Sequence, residues 1–243
     1  MKSFNLKNEF LFFRLFLKNP NKGGIGTSKH NKFNHLIFAL VINILIIISL
    51  EIVEIGFNLI DRNFHKNFSI QNNLDDDLNG ISKPLLFLIL CIIVPTVEEV
   101  AFRLPLNKNF KWSLIFTFLI IMLSLKFKPN DITTILMSLT LLIVIFVANQ
   151  ILKARFNLII NEIFYGKYFY IFFYCLTLIF SLCHINNYEW NNYTIINGLI
   201  FLSLSFIIDL LFGFLMLNCG FWYSLTLHIT NNFIGYIIYF SIK

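Results

Sequence analysis

Residues 85–106 read Leu-Leu-Phe-Leu-Ile-Leu-Cys-Ile-Ile-Val-Pro-Thr-Val-Glu-Glu-Val-Ala-Phe-Arg-Leu-Pro-Leu. The run is long and apolar enough to cross a bilayer, yet it carries Glu98, Glu99 and Arg103. A charge at the centre of a membrane helix costs at least about 2.5–3.5 kcal/mol on insertion scales. Ionisable residues at that depth face a bundle interior or a watered cavity, and by default they mark a functional site. The run therefore constrains the whole chain, because other spans must surround it.

The composition agrees. Of 243 residues 57% are hydrophobic and only 13% charged, against about 25% charged in a soluble domain. The expected fold is all-α: a polytopic transmembrane helical bundle with its active site in an intramembrane cavity. A span needs about 20 apolar residues, and seven stretches qualify: about 36–60, 84–106, 111–127, 132–152, 168–188, 194–217 and 220–241. Residues 1–33 read as a basic cytoplasmic or interfacial segment, and 34–243 as one membrane domain. The piece 9–17 is too short to span and fits the interface. The acidic loop residues Asp75, Asp76 and Asp77 read as solvated charge.

Net charge is +6, and seven of the nineteen Lys and Arg residues precede residue 33. With the N-terminus inside, inner segments hold twelve of these cations and outer segments six, with Arg103 left out as intramembrane. The positive-inside rule therefore predicts a multi-pass protein of the cell inner (plasma) membrane with a cytoplasmic N-terminus. The cations point to lipid headgroups as partner. No aromatic-interleaved basic surface accompanies them, so nucleic acid is not expected. The four cysteines, Cys91, Cys175, Cys183 and Cys219, lie in apolar stretches without a Cys-x-x-Cys pair and read as small buried hydrophobes.

Chemistry is expected on three spans. Glu99 and Arg103 are i and i+4, in the favourable order for a pair on one helix face. Glu98 is rotated about 100° away and is left as the carboxylate available for work. Two histidines, His184 and His228, lie in apolar stretches of other spans. His228 shares a face with Asn232, and His184 with Phe180. An amide beside an imidazole can hold its tautomer or donate to a developing oxyanion. Pro95 removes a helical hydrogen bond to the Cys91 carbonyl and can kink the span. Peptide hydrolysis needs an activated water, a proton shuttle and an oxyanion stabiliser, and these residues can supply them. Equally, Glu98, His184 and His228 are sufficient ligands for a catalytic zinc with an open position. The sequence leaves a divalent metal such as zinc, or none, as open alternatives. There is no His-Glu-x-x-His helix, so an ordinary zincin is not the template.

Glu98-Glu99-x-x-x-Arg103, Phe180-x-x-x-His184 and His228-x-x-x-Asn232 occur in that order on separate spans. Over residues 84–240 the chain resembles the CPBP family of intramembrane endopeptidases, which includes the type II CAAX prenyl endopeptidase and Abi-type bacteriocin-immunity proteins. The resemblance implies that Glu98 activates water, with Glu99 and Arg103 in support. It implies that His184 joins Glu98 in placing the water and that His228 with Asn232 serves the oxyanion side. The gap from the Glu pair to His184 is 86 residues, longer than is common in that family. Two extra spans fill it and keep span five antiparallel to span two.

The expected function is an intramembrane endopeptidase acting on a membrane-associated peptide or protein, in bacteriocin processing or self-immunity. The alternative is a non-catalytic membrane immunity or partner protein that retains the fold. A proton relay or transporter would use the same residues, but internal repeats of the transporter kind are not evident.

Overall fold

The computed structural model describes residues 4–20, 29–60, 82–107, 117, 162, 165–184 and 194–242. They are helical, and no strand occurs among them. In chain order the helices are α1 (Leu6–Lys18), α2 (Lys29–Ile60), α3 (Lys83–Leu88), a π-helical segment (Ile89–Ile93), α4 (Val94–Phe102), α5 (Phe169–Cys183), α6 (Thr194–Asn218) and α7 (Phe221–Ile242). A 3₁₀ turn, Leu104–Leu106, follows α4. Among the described residues three stretches are long and apolar enough to cross a membrane: Asn31–Ile52, Lys83–Leu106 and Leu199–Asn218. α5 is apolar but shorter. The spans expected at 111–127 and 132–152 lie outside the described residues apart from Thr117, as does the acidic loop carrying Asp75, Asp76 and Asp77.

The distribution of polarity is inverted relative to a soluble protein. Asn43, Glu99, Arg103, Asp209 and His228 are buried, while Leu45, Ile52, Leu88, Ile171, Leu199 and Trp222 are exposed. Water would select against such a surface. In lipid the outer apolar residues cost nothing, and association rests on close packing and interhelical polar contacts. Hydroxyls on the helices follow the same logic. Ser49, Thr96, Ser203, Thr226 and Thr230 each donate to the carbonyl four residues back, so no hydroxyl donor among them depends on water.

α6 packs against α2, α5 and α7. Close approach is possible because Gly213 faces Phe173 of α5, where a Cβ would meet the ring at 2.6 Å. α6 turns into α7 through Gly220, at φ 105°, whose N–H donates to the Leu215 carbonyl at 3.0 Å. Only a residue without a Cβ adopts that backbone freely. α1 docks on this end of the bundle. Phe13 and Phe16 pack on Phe214 at 5.2 Å each, and Glu9 lies 2.5 Å from Nδ1 of the buried His35. The outer face of α1 combines exposed Leu11 and Leu15 with Lys7, Arg14 and Lys18. That mixture of apolar and basic side chains is of the kind that suits a headgroup interface.

Span two is not one regular helix. In the π segment the Val94 N–H reaches the Ile89 carbonyl five residues back. Pro95, one residue later, has no N–H to give. In that register the carbonyl it leaves without a helical donor is Leu90, rather than the Cys91 carbonyl expected for an α-helix. The cysteines also differ from expectation: Cys91 and Cys219 are buried, Cys183 is half-buried, and Cys175 is exposed.

Candidate functional site

Four helices bring the site together. α4 carries Glu98 and Glu99, α5 ends at His184, α6 carries Asp209, and α7 carries His228 two turns from its start. The contact pairs fix direction. Glu98 meets His184 and Phe102 meets Phe180, so α4 and α5 are antiparallel. Leu90 meets Asn232 while Glu98 meets His228, so the second span and α7 are antiparallel too.

Glu98 stands between the two imidazoles. Its Oε2 is 3.4 Å from Nε2 of His228, and its Oε1 is 4.0 Å from Nε2 of His184. The other ring nitrogens are already engaged. Nδ1 of His184 lies 3.0 Å from the Phe180 carbonyl, which can only accept, so Nδ1 carries the hydrogen. Nδ1 of His228 lies 3.1 Å from Oε1 of Glu99, and an ionised carboxylate imposes the same tautomer. Both Nε2 atoms are therefore left to face Glu98. Aromatic rings hold the imidazoles in place. Phe180 meets His184 edge-on at 4.8 Å, and Phe212 stacks on His228 at 4.5 Å.

Burial divides the site into two levels. The Glu98 and His184 side chains keep 19% and 30% of their exposure, whereas Glu99 and Arg103 keep 1% each. The inner level is an ionic group. Arg103 Nε is 3.8 Å from Oε1 of Glu99, and one terminal guanidinium nitrogen is 3.5 Å from Oδ1 of Asp209. The Phe180 ring lies 4.7 Å from the guanidinium carbon and adds a cation–π contact. Ser181 donates to Oδ2 of Asp209. Asp209 falls within the span expected at 194–217, and neither it nor Ser181 nor Phe212 was among the residues expected to carry chemistry. The available signal was charge balance: the carboxylates of Glu99 and Asp209, in apolar spans, need a cation such as the Arg103 guanidinium.

The structure brings Glu98, Glu99, Arg103, Phe180, His184 and His228 into one cluster. Asn232 stands one turn beyond His228, where its Nδ2 donates to the Leu90 carbonyl at 3.0 Å. That is the carbonyl stripped of its donor by the π register and Pro95. Asn231 donates to the Asn232 side-chain oxygen at 3.4 Å. The amide is thus committed to the backbone of span two.

The Glu98, His184 and His228 set bears on metal binding. Ligands bonded to a tetrahedral zinc at about 2.0–2.2 Å stand about 3.4 Å apart. His228 and Glu98 meet that spacing, but His184 is wider at 4.0 Å. Among the described residues, no group of three or more His, Cys, Asp or Glu is arranged to hold a metal ion. Comparison with family models, curated proteins and solved structures finds no match.

Proposed function

We propose that this chain is an intramembrane endopeptidase of the CPBP type, hydrolysing a membrane-associated peptide or protein in an intramembrane cavity. In this reading about seven spans enclose the site, in the cell inner membrane with the N-terminus cytoplasmic. The observation that carries it is Glu98 set between the Nε2 atoms of His184 and His228, from two other helices, inside an apolar bundle.

The chemistry follows from the tautomers. Glu98 accepts a proton from water while Nε2 of His184 accepts a hydrogen bond from the water's second hydrogen and aims its lone pair. The water oxygen bonds to the peptide carbonyl carbon, and the carbonyl electrons move onto its oxygen. On the oxyanion side His228 acts with a hydrogen on both ring nitrogens, the second taken from solvent before the substrate binds: Nδ1–H is held by Glu99 and Nε2–H donates to the oxyanion. Collapse of the intermediate breaks the C–N bond, and the leaving amine takes the proton from Glu98. Glu99 and Arg103 act through His228 and touch no substrate.

General-base catalysis contributes about 10²–10⁴-fold, so Glu98→Gln is expected to lower kcat at least about a hundredfold. The assay is cleavage of an amphipathic peptide pool by the purified protein in detergent, read by mass spectrometry. Full cleavage by Glu98→Gln would sink the reading. An immunity phenotype that survives Glu98→Gln and His228→Ala would support the non-catalytic alternative instead.

A further inference from the structure

We propose that Asp209 is a positioning residue for this site: it draws Arg103 off Glu99, so that Glu99 stays bonded to His228. Oε1 of Glu99 serves both Nδ1 of His228, at 3.1 Å, and Nε of Arg103, at 3.8 Å. Arg103 is fully buried, and among the described residues none of its guanidinium nitrogens makes a hydrogen bond. Against the Phe180 and Phe212 rings it stands between Glu99 and Asp209 as an ion pair with each, at comparable separations of 3.8 and 3.5 Å. Asp209 is itself fixed, since its second oxygen accepts from Ser181. Remove the Asp209 charge and, among the described residues, Glu99 is the ion-pair partner left to the guanidinium. It then closes on the oxygen that sets the His228 tautomer.

The same movement reaches the imidazoles by a second route. Arg103 lies over the rings of Phe180 and Phe212, at 4.7 and 5.7 Å. These rings pack in turn on His184 and His228. A shift of Arg103 therefore disturbs the support of both bases that face Glu98. The proposal rests on the reading of Glu98 as the base, but Asp209 touches neither Glu98 nor substrate in it.

The test uses the full-length chain in detergent, as wild type, Asp209→Asn, Asp209→Glu and Ser181→Ala, with histidine ¹⁵N labels. His228 signals are assigned against His228→Gln. In Asp209→Asn the Nδ1 resonance of His228 should move, while that of His35, held by Glu9 on α1, should not. On a peptide that the wild type cleaves, Asp209→Asn should lower kcat about ten- to a hundredfold, the range for losing an outer-shell partner, with KM little changed. Asp209→Glu should recover most of the loss. An unmoved His228 resonance overturns the proposal, as does an Asp209→Glu variant no better than Asp209→Asn, or a loss confined to KM. If the wild type cleaves nothing, the peptidase reading fails, and the His228 resonance alone decides the role of Asp209. Should Asp209→Asn not fold, Ser181→Ala keeps the charge and frees one Asp209 oxygen. It should shift His228 the same way but less, and no shift there overturns the proposal.

Discussion

Replacing Asn232 by Leu tests the account of span two most directly. The Asn232 amide donates to the Leu90 carbonyl at 3.0 Å. That carbonyl lacks a helical partner because the Val94 N–H is spent on Ile89 and Pro95 has none. A buried carbonyl left unsatisfied costs about 1–3 kcal/mol, while interhelical hydrogen bonds in membranes average about 0.6 kcal/mol and reach about 1.7. Asn232 is half-buried, so a loss of about 1 kcal/mol is expected from these ranges. The loss should depend on Pro95. In a Pro95→Ala background residue 95 regains an N–H, which reaches Leu90 in the π register. An α-helical register would give Leu90 the Val94 N–H instead. Either way the carbonyl is satisfied without Asn232. Asn232→Leu should then cost close to nothing. The assay is equilibrium unfolding in mixed micelles, followed by circular dichroism, for the four members of the cycle. Equal costs of Asn232→Leu in both backgrounds would refute the reasoning and return Asn232 to His228, as its partner one turn away.

Glu99→Gln removes one of two carboxylates from the buried Arg103 and should destabilise by about 3 kcal/mol. Glu98→Gln, at the more exposed level, should change stability by less than about 1 kcal/mol, and a reversed order in thermal melts would contradict the two-level site. Gly213→Ala places a Cβ 2.6 Å from the Phe173 ring. Overpacking of about 1–3 kcal/mol outweighs the roughly 1 kcal/mol gain in helix propensity, so the variant should melt lower, and adding Phe173→Leu should recover the loss. Burial pushes the Cys219 thiol up to about 12, so at pH 8 it stays protonated and inert. The Cys219 thiol lies 3.7 Å from the Lys32 carbonyl; membrane-permeant N-ethylmaleimide should label the outward-facing Cys175 well ahead of it, and equal rates at the two would contradict that packing.

Helix class and approximate position were legible because in lipid a long apolar run has few options besides a helix. The expected starts at 84, 194 and 220 fall within a residue of the observed Lys83, Thr194 and Phe221. The π segment was not legible, since it depends on which N–H reaches which carbonyl over one turn, and Leu, Ile and Cys side chains do not encode that choice. Pro95 announced that a donor was missing but not whose acceptor it left bare. The cysteines show a similar limit. Four apolar contexts look alike in sequence, yet Cys175 faces outward while Cys91 faces inward, and only the rotation of each helix distinguishes them.

The division between Glu98 and Glu99 follows from their adjacency. Consecutive residues on a helix point about 100° apart, so two neighbouring carboxylates cannot share one partner face. One of them can look inward to Arg103 only if the other looks sideways, across the α5 and α7 contacts. His228 joins the two levels because an imidazole has a nitrogen on either edge: Nδ1 meets the inner carboxylate at 3.1 Å and Nε2 the outer one at 3.4 Å. A lysine or an amide at that position would present its donors at one end and would bridge the two carboxylates poorly. The i, i+4 spacing expected to bind Glu99 to Arg103 is correct in direction, but 3.8 Å is wider than a hydrogen bond. The guanidinium stands off because a second carboxylate, on α6, pulls on it. That carboxylate lies more than a hundred residues along the chain from Arg103, and no local spacing rule could have linked them. What could have linked them is the need to neutralise each charge buried in an apolar bundle, applied to all spans at once.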